Sequence, residues 1–276
     1  MPHPATPLHF LITGAGRGIG RGLSRLLLAK GHRVFLIDSN KTELDHLVAT
    51  HLAPTFAKDA FQPSLTNLRN PDEITSAVAQ AQEFFGAHLD VLINNAALTG
   101  TVHGSGGAVT RFEDLSLADW TASLETNLTA PLLLSQACVP LLRKHPGRKN
   151  GGAIIHMSST RARQSEPLSE AYAATKAGLV GLTHAMASSL AEEGITVNAI
   201  LPGWVNVMNE CKEADEGGVG WEDGLSEEDH AWHFSGRVGK VEDVLGAVEF
   251  LAREKFVNGA EIVLDGGVSR KMVYPE

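Results

Sequence analysis

Strand-length apolar runs alternate with helix-length amphipathic stretches along this chain. The pattern predicts an α/β fold, a doubly wound parallel sheet of about seven strands with helices on both faces. Two local features support that prediction. The run Leu8 to Thr13 leads straight into a glycine-rich turn, Thr13-Gly14-Ala15-Gly16-Arg17-Gly18-Ile19-Gly20, and a second apolar run, Val34 to Ile37, ends at an acid, Asp38.

Taken in order, Leu8 to Thr13 is the first strand. A helix follows from Gly18 to Lys30 and stops at Gly31, a residue suited to a left-handed cap. Val34 to Ile37 is the second strand, and a helix spans about Lys41 to His51. Residues 53–70 are the least readable part of the first half. Asn70-Pro71-Asp72-Glu73 opens a helix, with proline and acids in its first turn. Leu89 to Asn94 is a buried strand, and a Gly-rich loop runs on through Gly107. A long helix from about Leu117 to Lys144 is interrupted or bent near Pro131 and Pro140. Ala153 to Ser158 is a strand, Ser169 to Glu193 a helix ended by Gly194, and Ile195 to Leu201 and Glu261 to Asp265 are the last two strands.

Between those last strands, residues 204–236 are polar, acidic and Gly-rich, with Trp221 and Trp232 embedded. A long irregular insert in a compact domain is usually functional, so residues 1–276 read as a single domain with 204–236 as a substrate lid.

The length of 276 residues suffices for one large domain, and 43% hydrophobic with 20% charged residues is ordinary for a globular protein. A formal charge of −9 argues against nucleic-acid binding and against adsorption to an anionic membrane. No apolar stretch is long enough to span a bilayer, and the N-terminus has no basic start or long apolar run of the kind a signal peptide needs. The carboxyl end, Tyr274-Pro275-Glu276, matches no retention or lipidation signal considered. The two cysteines, Cys138 and Cys211, form no metal-type pair and suit a reducing compartment, so the expected location is cytoplasmic.

The glycine turn carries the first chemical signal. A strand, a tight turn and a helix N-terminus make an anion site of the Rossmann-like kind, because unpaired N–H groups and the helix dipole both favour a phosphate. Gly14, Gly18 and Gly20 let the backbone approach a pyrophosphate, with Arg17 and Ile19 between them. Asp38, twenty residues after Gly18, stands where a carboxylate accepts the adenosine ribose hydroxyls and repels a 2′-phosphate. This favours NAD over NADP, with Arg17 as the residue that argues the other way.

Tyr172 and Lys176 carry the second signal. Residues four apart are neighbours on a helix, so a phenol and an ammonium share one face, and Ser159 lies thirteen residues earlier. A positive charge beside the phenol is expected to favour the phenolate.

With Asn94-Asn95-Ala96-Ala97, Asn127, Asn198 and Pro202-Gly203 in order behind these, the chain resembles the short-chain dehydrogenase/reductase family in its compact single-domain form, over nearly its whole length. The resemblance implies hydride transfer between NAD(H) and an alcohol or carbonyl compound. Tyr172 would be the acid or base, Ser159 the stabiliser of the substrate oxygen, Lys176 the holder of the nicotinamide ribose, and Asn127 the anchor of a relay water. Asn95, Ala96, Pro202, Gly203 and the backbone of Val205 would border the cofactor. A homo-oligomer, tetramer or dimer, is also implied.

The chain departs from the family pattern at three places. Ala97 replaces a glycine, Ser64-Leu65 stands where an acid near the adenine is usual, and Val207 replaces a threonine that commonly binds the nicotinamide amide.

The substrate is expected among residues 99–109, 160–170 and the insert. Arg161 and Arg163 would either pair with a carboxylate or phosphate or remain a solvated loop. Glu166, His230 and His233 are polar candidates for hydroxyl groups. Asp229, His230 and His233 lack a further clustered ligand, so no metal is expected. A sugar, polyol or hydroxy acid fits a polar insert, and Trp204, Trp221 and Trp232 keep aromatic or aliphatic ketones open. The alternatives are an NADP(H)-dependent carbonyl reductase and a cofactor-binding protein that has lost turnover.

Overall fold

The computed structural model describes residues 7–86, 88–99 and 111–272. Strands β1 (His9–Thr13), β2 (Arg33–Asp38), β3 (Phe61–Leu65), β4 (Val91–Asn94), β5 (Ala153–Met157), β6 (Thr196–Pro202) and β7 (Glu261–Leu264) form one parallel sheet. Their spatial order is β3-β2-β1-β4-β5-β6-β7. The chain therefore leaves β1 toward one edge and returns at β4 to build the other half. At that switch point the loops diverge beyond the carboxyl ends of β1 and β4, which opens a crevice.

Nine helices among the described residues connect the strands: α1 (Gly18–Ala29), α2 (Lys41–Leu47), α3 (Pro71–Phe85), α4 (Leu117–Leu124), α5 (Ala130–Leu142), α6 (Glu170–Ser189), α7 (Lys212–Gly217), α8 (Glu227–Ala231) and α9 (Val241–Arg253). Side chains alternate across each strand, so the sheet has two apolar faces. Phe10, Ile12, Val34, Leu36 and Ile93 pack with Leu23 and Leu27 of α1 and Val244, Val248 and Leu251 of α9. Leu11, Phe35, Ile37, Leu92 and Ile154 pack with Ile74 and Ala77 of α3, Leu134 and Cys138 of α5 and Met186 of α6. Cys138 is fully buried, and desolvation pushes its thiol up to about 12.

Several expected boundaries shift for identifiable reasons. The helix expected to His51 tightens into α2 and then widens into a π-turn over Val48–Leu52. The long helix expected over 117–144 is two helices joined by a second π-turn, Glu125–Thr129, ahead of Pro131; Pro140 remains inside α5. The third strand contains Pro63 and lies at the sheet edge, where a missing N–H costs no ladder bond. Sequence reading missed α9 altogether, although Val241, Val244, Leu245, Val248 and Leu251 form a plain buried stripe. The insert is not structureless: it contains α7 and α8, the latter opened by a Ser226–Asp229 capping box. Most of the Gly-rich loop expected after β4 lies outside the described residues.

Candidate active site

The glycine turn and its acid

Helix α1 starts at Gly18 with Arg17 as its N-cap, and no side chain caps it and no acid sits in its first turn. An uncapped end of a twelve-residue helix leaves N–H groups and a partial positive charge at the crevice. The turn needs its glycines for two reasons. Gly14 and Gly18 have φ of +64° and +61°, a region L-residues avoid. A Cβ on Gly20 would lie 2.1 Å from the Gly14 oxygen, and one on Gly14 would lie 2.9 Å from Ala96 Cα.

Asn95 and Ala96, expected to border the cofactor, hold this turn in place. Asn95 Nδ2 donates to the Thr13 oxygen at 2.9 Å, and Thr13 Oγ1 accepts from the amides of Asn95 and Ala96 at 2.9 and 3.0 Å. Ile19 is half-buried and packs on the core. The Gly18 amide is also engaged, donating to the Glu210 oxygen at 2.7 Å.

Asp38 stands at the end of β2 beside the turn. Its Oδ2 accepts from the Gly16 amide and its Oδ1 from the Asn40 amide, both at 2.8 Å. Two amides occupy half of a carboxylate's acceptor capacity, so further hydroxyl donors can still be held. Arg17 is exposed. An uncapped helix end, a backbone that cannot accept Cβ atoms, and a half-filled carboxylate together fit a dinucleotide.

The phenol, the amine and their neighbours

Helix α6 presents Tyr172 in its first turn and Lys176 one turn on. Lys176 is only 2% exposed and donates from Nζ to the Met157 oxygen at 2.7 Å. Burial without a carboxylate partner pushes its amine down to about 7. The Nζ lies 5.3 Å from the Tyr172 ring centroid. Ser159, two residues beyond β5, lines the same cavity as Tyr172, and its Oγ accepts from the Arg161 amide at 3.2 Å. Ser158 has a different task, donating to the Lys176 backbone oxygen at 2.8 Å and so fixing α6 to β5.

Lys176 is expected from the sequence to lower the phenol's pKa. The structure reverses the net direction. Desolvation raises Tyr172 and outweighs the lowering contributions of the nearby Ser159 side chain and the Arg161 charge. The physical reason is that both groups are buried, and burial penalises each charged form.

Asn127 sits in the second π-turn, 1% exposed. Its amide clamps the Leu98 backbone at 2.8 Å and 3.0 Å and donates to Thr175 Oγ1 at 3.1 Å. Its side chain thus holds the loop after β4 against α6. Asn198 likewise crosslinks β6 to the backbone of Val257 and Ala260.

The cavity

A cavity of about 730 Å³ opens at Ser159 and Tyr172, walled by Gly203, Trp204, Val205 and Trp232. The close approach at Gly203 is obligatory, since a Cβ there would lie 2.7 Å from Asp265 Cβ. Pro202 ends β6, and Val205 is paired with Gly239 in a short parallel bridge. Val207 packs toward Gly18, with its Cγ2 3.7 Å from where a Cβ on that glycine would lie.

Arg161 and Glu166 line the cavity as an ion pair, and Arg161 also donates to Ser169 Oγ at 3.1 Å. Arg163 pairs instead with Glu261 at 2.6 Å. His233 lines the cavity, 3% exposed, with Nδ1 at 3.0 Å from the Asp229 oxygen. His230 is not among the lining residues; it packs 5.8 Å from the Trp221 ring and accepts from the Val238 amide.

Relatives and family

A tyrosine–serine pair on a cavity wall beside a dinucleotide cradle defines the class of nucleotide-dependent oxidoreductases. The family model described as enoyl-(acyl carrier protein) reductase matches residues 14–269. An "uncharacterized oxidoreductase" of Thermotoga maritima is 33% identical over 273 residues, covering 96% of this chain and 97% of the relative. A 3-oxoacyl-[acyl-carrier-protein] reductase of Staphylococcus aureus is 31% identical over 260 residues, 94% of this chain and 96% of its own length. Among solved structures, an apo SCOR enzyme from Clostridium thermocellum superposes with a TM-score of 0.78 at 31% identity, covering 98% of this chain and 95% of that one. This chain belongs to the short-chain dehydrogenase/reductase family, and it is an oxidoreductase of that family.

Proposed function

We propose that this protein interconverts a secondary alcohol and its carbonyl compound, using NAD(H), in a single domain whose residues 204–236 act as a substrate lid. The observation that carries the reading is the presence of Tyr172 and Ser159 together on the wall of the cavity, with Lys176 one turn behind. When bound, the nicotinamide takes up or supplies the hydride. The chain's own residues handle the proton and the charge. In alcohol oxidation Tyr172 first gives up its own proton to the relay that leads to solvent, and the phenolate oxygen then takes the hydroxyl proton as the C–H electron pair leaves with the hydride. In reduction the phenol returns that proton to the carbonyl oxygen. Ser159 donates to the same oxygen and stabilises charge developing on it. Lys176 holds the ribose hydroxyls one helical turn from the phenol, and the Asn127 backbone holds a relay water behind the lysine.

Asp38 supports NAD as the cofactor, because a carboxylate at the ribose repels a 2′-phosphate. NADP(H) is the second reading, favoured by the exposed Arg17 in the glycine turn. The polar Arg161–Glu166 wall suits a substrate with further hydroxyl or carboxylate groups, such as a sugar, polyol or hydroxy acid. A 3-oxoacyl substrate is the competing class, supported by the reductases at 31% identity. A cytoplasmic homo-oligomer completes the reading.

A panel of polyols, sugars, hydroxy acids and 3-oxoacyl thioesters, run with each cofactor and followed at the nicotinamide absorbance, tests the proposal. Turnover of a hydroxylated substrate with NAD(H) is the expected result. Turnover confined to 3-oxoacyl thioesters with NADPH would replace it.

A further inference from the structure

The first arm of the insert is bolted to the glycine-turn helix by a cluster of charges that the chemistry above does not use. Arg21, on the second turn of α1, is 1% exposed. Its Nη2 donates to Asp215 of α7 at 2.5 Å and lies 2.9 Å from His51 Nε2. Its Nε lies 3.5 Å from Glu210 Oε2, an ion pair without hydrogen-bond alignment. Glu210 is itself buried and pairs with Arg25 at 2.5 Å. His46 and His51 both reach Asp215 Oδ2, at 2.8 and 2.9 Å. They are five residues apart, and the π-turn over Val48–Leu52 lets them share a face that an unbroken α-helix would split.

Two imidazoles and a carboxylate converge here as they would around a metal ion. The Arg21 guanidinium, however, touches both His51 and Asp215 and already supplies the cation. The cluster is therefore an ionic clasp between α1, α2 and α7.

What the clasp closes is set by the backbone. The Glu210 oxygen takes the Gly18 amide, at the phosphate end of the crevice. Two residues on, the Lys212 amide donates to Glu43 Oε2 at 2.8 Å. Glu43 stands beside the Asp38 end, its Cβ 3.2 Å from where a Cβ on Gly16 would lie. The arm thus runs across the mouth of the cradle from its phosphate end to its ribose end, so opening the mouth means breaking the clasp.

We propose that Asp215 and Glu210, through Arg21 and Arg25, are positioning residues that hold this arm shut and set the rate at which a nicotinamide dinucleotide leaves. The proposal rests on the dinucleotide-binding reading above. It separates the insert into a clasped arm over the cofactor and a second part, α8 with Trp232, over the substrate cavity.

The test uses Asp215→Asn in the intact protein with two readouts. The first is trypsin cleavage after Lys212, followed by mass spectrometry without nucleotide. The second is the rate at which bound NADH is displaced by excess NAD⁺ in a stopped-flow experiment. The expected result is cleavage at least fivefold faster than wild type, with NADH leaving roughly tenfold faster, the factor that corresponds to about 1.4 kcal/mol. Should Asp215→Asn strand the Arg21 charge and lower the folded yield, His46→Gln loosens the clasp without removing its carboxylate and is expected to shift both readouts the same way. Unchanged cleavage would mean the cluster is no clasp. Faster cleavage with an unchanged release rate would mean that the arm does not gate the cofactor. Either overturns the proposal. A protein that binds neither NADH nor NADPH fails at the functional reading itself, while the cleavage readout still reports on the clasp.

Discussion

Burial acts on Tyr172 and Lys176 in the same sense chemically and in opposite directions on the pH scale. The phenol rises and the amine falls to about 7, because each resists its charged form. For Lys176 the linkage has a definite sign. Between about 7 and the ordinary lysine value of 10.5 the unfolded chain holds a proton that the folded chain lacks, so stability rises with pH across that window. Relative to a Lys176→Met variant, wild-type protein should gain about 1 kcal/mol per pH unit between pH 8 and 10 in urea unfolding, approaching the one-proton limit. An equal pH dependence in both proteins would contradict the buried neutral amine. Ser158 offers a second check at this scale. Ser158→Ala leaves the Lys176 oxygen without its side-chain donor and should cost about 1–2 kcal/mol of stability, measured by the same unfolding curves.

At the scale of elements, the turn between β1 and α1 combines backbone freedom with charge selection. Asp38→Ser removes the carboxylate that accepts from Gly16. It should shift the ratio of NADPH to NADH affinity toward NADPH by roughly tenfold or more, about 1.4 kcal/mol, as read by tryptophan fluorescence titration. An unchanged ratio would remove the argument for NAD. This turn was legible in the sequence because glycines at fixed offsets after an apolar run have few other uses. Tyr172, Lys176 and Ser159 were legible because helix periodicity alone places the first two together. The clasp was not legible: Arg21, His46 and Asp215 are far apart in the chain, and only the π-turn in the α2 connection brings His51 round to join them. The loop-holding bonds of Asn95 and Asn127 were hidden for a related reason. Their amides bond backbone groups of loops whose paths the sequence does not reveal. Helix α9 lay in plain pattern and was overlooked, whereas β3 was obscured by Pro63 and only its edge position explains it.

Across the whole molecule, a single sheet with two apolar faces positions everything else. The crevice lies where β1 and β4 diverge, and the cavity lies where β5, α6 and the insert meet. A ligand that binds only the folded form stabilises it, by about 2.7 kcal/mol at a hundred times its Kd. In a chain of this size that corresponds to a rise in Tm of roughly 5–10 °C with NADH. No shift with either nicotinamide dinucleotide would argue against the cradle.

The most direct measurement is single-turnover hydride transfer by Tyr172→Phe with NADH prebound. The ring stays, the acidic proton goes, and Lys176 keeps its bond to the Met157 oxygen. NADH affinity should remain within a few-fold of wild type while the transfer rate falls about 10²–10⁴-fold. Transfer at the wild-type rate, with the nucleotide bound normally, would show that the proton moves by another route.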